Sequence, residues 1–287
     1  MSGYADRDQT LSFVTRFAPS PTGPLHLGHA FSALTAYEAA KSASGCFLLR
    51  IEDIDHARCR PEFEEAIYDD LRWLEVQWEA PVRRQSEHMV DYEAALDRLR
   101  AMGLLYRCFR TRKEVAEAAV AAPHGPEQAY RGAPLPLDEE AARLADGKPF
   151  AWRLSLEAAR TRLGDRYNTL NYFDEGEGLK AALPNLAGDV VLARKDVGVA
   201  YHLASVVDDA LQGVTHVIRG EDLKDAVHVQ RLLQALLGLP TPVYRHHRLI
   251  TDPSGKRFAK RDRDGQLIEL RARGVSRAEV RAMVGLA

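Results

Sequence analysis

The alternation of short apolar runs with helical stretches in the first hundred residues limits this chain's fold more than any other feature. Ser12–Pro19 (SFVTRFAP) reads as a short strand that breaks at PSPTGP. A helical run follows from about Leu27 to Ser44, stopped by Gly45. Cys46–Ile51 (CFLLRI) is apolar and short enough for a buried parallel strand. The 61–75 stretch opens with Pro61, a good first helical residue, and puts Phe63, Ile67, Leu71 and Leu74 on one stripe. Residues 87–102 repeat the pattern with Met89, Tyr92, Leu96 and Leu99, and Gly103 stops it. Strand–helix–strand–helix with short links predicts an α/β, doubly wound parallel sheet over residues 1–103.

Beyond that the pattern changes. Residues 104–188 hold an Ala/Pro/Gly-rich stretch and no clear alternation, so they read as an inserted domain. Alternation resumes at Asp189–Arg194 (DVVLAR), with a helix at Tyr201–Leu211, a strand at Val214–Arg219 and an amphipathic helix at Leu223–Leu237. That places the second half of the parallel fold at 189–240. Pro240 and Pro242 punctuate a boundary before a last module, 241–287, that ends in a helix at Arg277–Leu286.

Composition narrows the class. Of 287 residues, 46% are hydrophobic and 28% charged, and no apolar run approaches the ~20 residues of a membrane span. The first ten residues are polar and charged, unlike a signal peptide. Three cysteines, Cys46, Cys59 and Cys108, are too few and scattered for a disulfide framework. The expectation is a cytoplasmic enzyme with no membrane partner. The net charge of −2 hides an asymmetry: residues 241–287 hold eleven Lys/Arg against five Asp/Glu. A basic module on an acidic body is a candidate polyanion surface, or a plain solvated face.

The segment Arg16–His29 (RFAPSPTGPLHLGH) carries the most chemistry. Pro19, Pro21 and Gly23 hold a tight turn, and Gly28 allows close approach of a ligand to the backbone. His26 and His29 are three apart, so at a helix start they share a face. Backbone N–H groups and the helix dipole there favour an anion. Neither common Gly-rich phosphate loop is present.

This block resembles the first signature of the class I glutamyl-tRNA synthetase family, with HLGH in place of its HIGH element. The resemblance continues at Leu48–Asp55, Arg72–Glu87, Val199–Asp209, Val214–Leu223 and Ile250–Arg261, in family order. It implies a class I synthetase Rossmann-type sheet with an inserted α+β domain and a C-terminal, mostly helical module with a KMSKS-like loop. It also implies ATP and Mg²⁺ as the activating pair and L-glutamate as substrate. Such an enzyme joins a carboxylate to the α-phosphate of ATP and releases pyrophosphate. The carboxylate is already ionised, so positioning and charge stabilisation matter more than a base.

By the same resemblance, Arg16, Ala18, Ser20, Glu52, Tyr201 and Arg219 form the glutamate site. The arginines take carboxylate oxygens and Glu52 takes the ammonium. Pro19, His26, Gly28, His29, Arg257 and Lys260 form the ATP site, with His26, His29 and Lys260 acting on the phosphates. Two departures stand out. The family's KLSKR-like loop reads Arg257-Phe258-Ala259-Lys260-Arg261 here, which keeps Lys260 but replaces a lysine with Arg257 and a serine with Ala259. Related short enzymes often carry zinc through a CxC pair and a YxGxC-like element. Here Cys108-Phe109-Arg110 has one cysteine, and Tyr130-Arg131-Gly132-Ala133-Pro134 has a proline at the last position. Cys108 and Tyr130, with His124 as a weak third, fall short of four ligands, so no metal is expected.

The chain runs only 26 residues past Arg261, without room for helical anticodon-reading domains. That combination resembles the glutamyl-Q tRNA(Asp) synthetase family, whose members activate glutamate without tRNA. They pass it to the queuosine base at the wobble position of tRNA(Asp). The implied partner is queuosine-bearing tRNA(Asp), with Arg245, Arg248 and Arg271 as candidate phosphate contacts on a monomeric protein. Three other readings share parts of this pattern: an enzyme charging a tRNA 3′ end, a small-molecule adenylyltransferase, and a tRNA-binding protein without catalysis.

Overall fold

A computed structural model describes residues 13–111, 113–115, 130–194, 198–251 and 265–286. Its first half follows the alternation. β1 (Val14–Phe17), α1 (Leu27–Ser42), β2 (Cys46–Ile51), α2 (Pro61–Trp73), β3 (Glu79–Arg84) and α3 (Met89–Ala101) come in order. β1, β2 and β3 pair in parallel. Period-2 alternation sends Phe47, Leu49 and Ile51 into one core and Leu48 into the other. The sheet therefore separates two apolar layers. α2 shows how the sequence specifies its own ends: Pro61 sits in the first turn with Glu62 and Glu64, and Arg72 in the last, each complementing the helix dipole. Its stripe buries Ile67, Leu71 and Leu74, while Phe63 stays partly exposed. Each fully buried side chain contributes about 1.5–3 kcal/mol.

The middle of the chain makes β4 (Leu105–Cys108), α4 (Leu137–Ala145), β5 (Ala151–Leu154), α5 (Leu156–Leu163), β6 (Asn171–Asp174), β7 (Gly178–Ala181), β8 (Val191–Arg194) and β9 (Gly198–Val199). β4, β5, β8 and β9 form an antiparallel sheet. Here the structure corrects the sequence reading: Val191–Arg194 does not resume the parallel fold at 189 but completes this second sheet. An apolar strand of that length suits either sheet, and only its partner decides. The β6–β7 hairpin belongs to neither expectation; it leaves the middle region and adds to the edge of the parallel sheet.

α6 (Tyr201–Leu211), β10 (His216–Gly220), α7 (Ala226–Leu237), β11 (Val243–His247), α8 (Leu267–Ala272) and α9 (Arg277–Met283) complete the described chain. Gly238, at φ 65°, closes α7 in the left-handed conformation that glycine adopts freely. β10 and β11 pair in parallel, and β11 pairs in parallel with β6. β10 lies beside β1, tied by Thr215 N–H to Val14 O at 2.9 Å. The parallel order is thus β3-β2-β1, then β10-β11-β6. Pro240 and Pro242 do not start a separate module, because β11 is an inner strand of this sheet. Its sequence, VYRHH, hides that: three Arg/His residues in five break the apolar pattern. Among the described residues no helix is long and apolar enough to cross a membrane.

Candidate active site

A cleft of about 690 Å³ opens at the carboxyl ends of β1, β2 and β10 and the starts of α1 and α6. β1 and β10 are where the chain leaves the sheet in opposite directions, the place where doubly wound folds bind ligands. The cleft gathers Arg16, Ala18, Pro19, Ser20, His26, Gly28, His29, Glu52, Tyr201 and Arg219. It therefore brings together all six residues expected around glutamate and four expected around ATP. Arg257 and Lys260 lie outside the described residues. Of the three arginines expected to meet tRNA, Arg248 lines the cleft. Arg245 pairs with Glu175 at 3.0 Å, and Arg271 lies 3.5 Å from Asp70 and packs over Trp73, so neither faces the cleft.

The two histidines form a reciprocal cap on α1. Gly28 N–H donates to His26 Nδ1 and His26 N–H donates to His29 Nδ1, each at 3.1 Å. Both Nδ1 atoms are acceptors, so each neutral ring carries its proton on Nε2. The rings lie 3.8 Å apart. Gly28 has a second reason to be glycine besides ligand approach: a Cβ there would meet the His26 ring at 3.0 Å.

Under the cleft lies an ion network that sequence reasoning missed. Arg50, fully buried on β2, donates to Asp209 Oδ1 at 2.7 Å, to Gln212 at 3.1 Å and to Glu52 Oε1 at 3.1 Å. Arg16 Nε reaches the same Asp209 oxygen at 3.0 Å. Asp208 accepts from Arg83, Gln85 and Tyr92. Burial pushes Glu52 above the usual carboxylate range, and Arg50 and Arg16 pull against it. Burial acts on Asp209 too, but there Arg16 and Arg50 win and hold it low. The network fixes Arg16 and Glu52 before any substrate arrives. The signals for it were an arginine inside the apolar run CFLLRI and the tandem Asp208-Asp209 on an otherwise apolar helix.

Arg219 is different. It is 5% exposed, yet among the described residues no carboxylate lies within ion-pair distance. Its Nη1 donates to Tyr201 OH and its Nε to His246 Nε2, both at 3.4 Å, and its guanidinium lies 5.5 Å from the Tyr244 ring centre. Its Nη2 is buried without a hydrogen-bond partner. Burial, with Arg219 beside it, pushes His202 down to about 4, so that ring is neutral at pH 7. A buried guanidinium lacking an anion is costly.

Nearby acids serve the loops. Asp53 accepts from Ser86 N–H at 2.8 Å, and Asp55 takes Arg58 Nε at 2.7 Å. In the region of the lost cysteines, Cys108 Sγ lies 3.8 Å from Tyr130 OH. Buried Asp189 accepts from Tyr106 OH, Gly132 N–H and Leu156 N–H at 2.9–3.0 Å, tying three segments together. His124 lies outside the described residues. Among those described, no group of three or more His, Cys, Asp or Glu side chains is placed to hold a metal ion.

Residues 12–286 match the family described as tRNA synthetases class I (E and Q), catalytic domain. The chain is 48% identical to the glutamyl-Q tRNA(Asp) synthetase of Rhodobacter capsulatus, over 95% of this chain and 100% of that protein. It is 41% identical to the protein of the same name from Nocardia farcinica, over 96% of this chain and 84% of that one. Among solved structures, a glutamate–tRNA synthetase from Elizabethkingia anophelis aligns with a TM-score of 0.72 at 30% identity. That alignment covers 88% of this chain and 53% of the synthetase, so the chain spans about half the length of that structure.

Proposed function

Because the chain belongs to the class I (E and Q) tRNA synthetase catalytic-domain family, we propose that it is a ligase that activates L-glutamate with ATP, without tRNA, and transfers it to the queuosine base of tRNA(Asp). The observation that carries the glutamate half is Arg219. It is a buried cation with an unsatisfied Nη2, held by Tyr201 at the wall of the cleft. The likeness to the two glutamyl-Q tRNA(Asp) synthetases supports the transfer half.

In this reading the substrate's side-chain carboxylate docks on Arg219 and its ammonium faces Glu52. The Arg50–Asp209 network keeps Arg16 directed at a carboxylate oxygen. The α-carboxylate then attacks the α-phosphate of ATP in line; a carboxyl–phosphate bond forms and the bond to pyrophosphate breaks. His26 and His29 offer Nε2 donors at the start of α1, where developing phosphate charge is stabilised. Lys260 supplies a further cation. Mg²⁺ would be carried in on the ATP phosphates and would neutralise part of their charge. A hydroxyl of the queuosine cyclopentenediol next attacks the carbonyl of the mixed anhydride, loses its proton, and releases AMP. Arg248, which lines the cleft, would meet an RNA phosphate in this reading. The protein acts as a cytoplasmic monomer.

ATP–pyrophosphate exchange without tRNA tests the first half. Exchange that requires glutamate, and that glutamine does not support, is expected. Exchange independent of glutamate would point instead to a small-molecule adenylyltransferase.

A further inference from the structure

Arg219 is backed by a line of two buried side chains. Parallel pairing sets Arg219 on β10 opposite His246 on β11, and Tyr244, two residues earlier, opposite Asp174 on β6. His246 Nδ1 lies 2.6 Å from Asp174 Oδ2, with both side chains 4% exposed. His246 Nε2 lies 3.4 Å from Arg219 Nε. Asp174 is itself held, since its Oδ1 accepts Gly176 N–H at 2.9 Å. The Tyr244 ring lies nearly parallel to the imidazole, at 4°.

This order fixes a tautomer. A carboxylate beside Nδ1 keeps the proton on that nitrogen, so Nε2 presents a lone pair to the Arg219 N–H. Burial, together with the Arg219 charge, holds His246 below the usual imidazole range despite Asp174, so the ring stays neutral near pH 7. A buried carboxylate and imidazole are expensive to keep for packing alone. Their arrangement does have a consequence at the substrate. With Nε on His246, Nη1 on Tyr201 and the ring of Tyr244 beneath, Nη2 is the nitrogen left without a partner among the described residues.

We propose that Asp174 and His246 are positioning residues for Arg219, and that this line sets the affinity for the substrate's side-chain carboxylate. The inference rests on the glutamate reading above and deepens it. It also gives the β6–β7 hairpin a role: a strand from the middle of the chain anchors the specificity arginine of the parallel sheet.

The test is glutamate-dependent ATP–pyrophosphate exchange with His246→Phe, Asp174→Asn and His246→Gln. Phenylalanine keeps a flat ring and removes the acceptor. The Gln side-chain carbonyl reaches toward the Nε2 position and restores one. His246→Phe and Asp174→Asn should raise the KM for glutamate about 10- to 100-fold, the scale of one lost charge-assisted hydrogen bond. The KM for ATP and kcat should stay within about 3-fold, and His246→Gln should recover most of the glutamate KM. A glutamate KM within 2-fold of the unmutated protein in folded His246→Phe or Asp174→Asn would overturn the proposal, as would equal rises for ATP and glutamate. If His246→Phe does not fold, ¹⁵N NMR of the unmutated protein decides. Protonated Nδ1 with bare Nε2 supports the line, and protonated Nε2 overturns it. Absence of glutamate-dependent exchange in the unmutated protein would instead remove the glutamate reading, while the tautomer would still report on the Asp174–His246 geometry.

Discussion

Replacing Arg50 with methionine should unfold this protein more readily than any surface change, and it should do so in a pH-dependent way. Arg50 is fully buried and bonded to Asp209 and Glu52, with Asp208 at 3.6 Å. Methionine fills much of the volume but leaves three carboxylates with Arg16 and Arg83 as their remaining ion-pair partners. Removing one partner of a buried ion pair costs about 3–5 kcal/mol, because the charge left behind cannot be resolvated. At roughly 2–4 °C per kcal/mol for a chain of this size, Tm should fall by about 6–20 °C at pH 7.5. The pH dependence follows from the same charges. Without Arg50, Glu52 rises further above its unfolded value, and Asp209 loses one of the two cations that hold it below its own. A carboxyl so raised costs stability above its unfolded pKa and regains it on protonation. The gap between variant and parent should therefore narrow between pH 7.5 and pH 5, and adding Asp209→Asn should return part of the loss at pH 7.5. Differential scanning calorimetry at both pH values reads this. A Tm within 2 °C of the parent at pH 7.5, or a gap that does not change with pH, would refute the reasoning.

Other changes have definite outcomes. Arg219→Lys keeps the charge but loses the planar fork, so kcat/KM for glutamate should fall about 10²–10³-fold with the KM for ATP unchanged, measured by pyrophosphate exchange. Buried Asp70, with neither oxygen hydrogen-bonded and Arg271 nearby, is pushed up to about 7, burial being the main cause. Its folded pKa exceeds the unfolded value, so the native state loses stability as pH rises from about 4 past 7. Asp70→Asn should raise stability at pH 8 by on the order of 2–4 kcal/mol and do nothing at pH 4, read from urea titrations. Lys260→Ala should abolish glutamate-dependent pyrophosphate exchange.

The candidate cleft was legible because its residues adjoin strand ends. Arg16 lies one residue before the end of β1, Glu52 and Arg219 close short apolar runs, and His26 and His29 follow a proline- and glycine-held turn. Such neighbours in sequence stay neighbours in space whatever the rest of the chain does. Arg50 and Asp209 were harder, since an arginine within a strand and an aspartate on a helix acquire meaning only when the sheet brings β2 against α6. Asp174 and His246 were harder still: 72 residues separate them, and β6 and β11 had no recognisable strand pattern. The same limit explains β8, whose apolar residues suit either sheet. Pattern predicts which segments are strands, while partnership depends on contacts between segments far apart.

The central claim is that glutamate goes to queuosine, and one measurement tests it most directly. Purified protein, ATP and labelled glutamate are incubated with tRNA(Asp) from cells that make queuosine and from cells that do not. The label should enter only the queuosine-bearing tRNA(Asp) and should survive removal of the tRNA 3′ terminus. Label on queuosine-free tRNA(Asp), or equal label on tRNA(Glu) that is lost with the 3′ terminus, would contradict it.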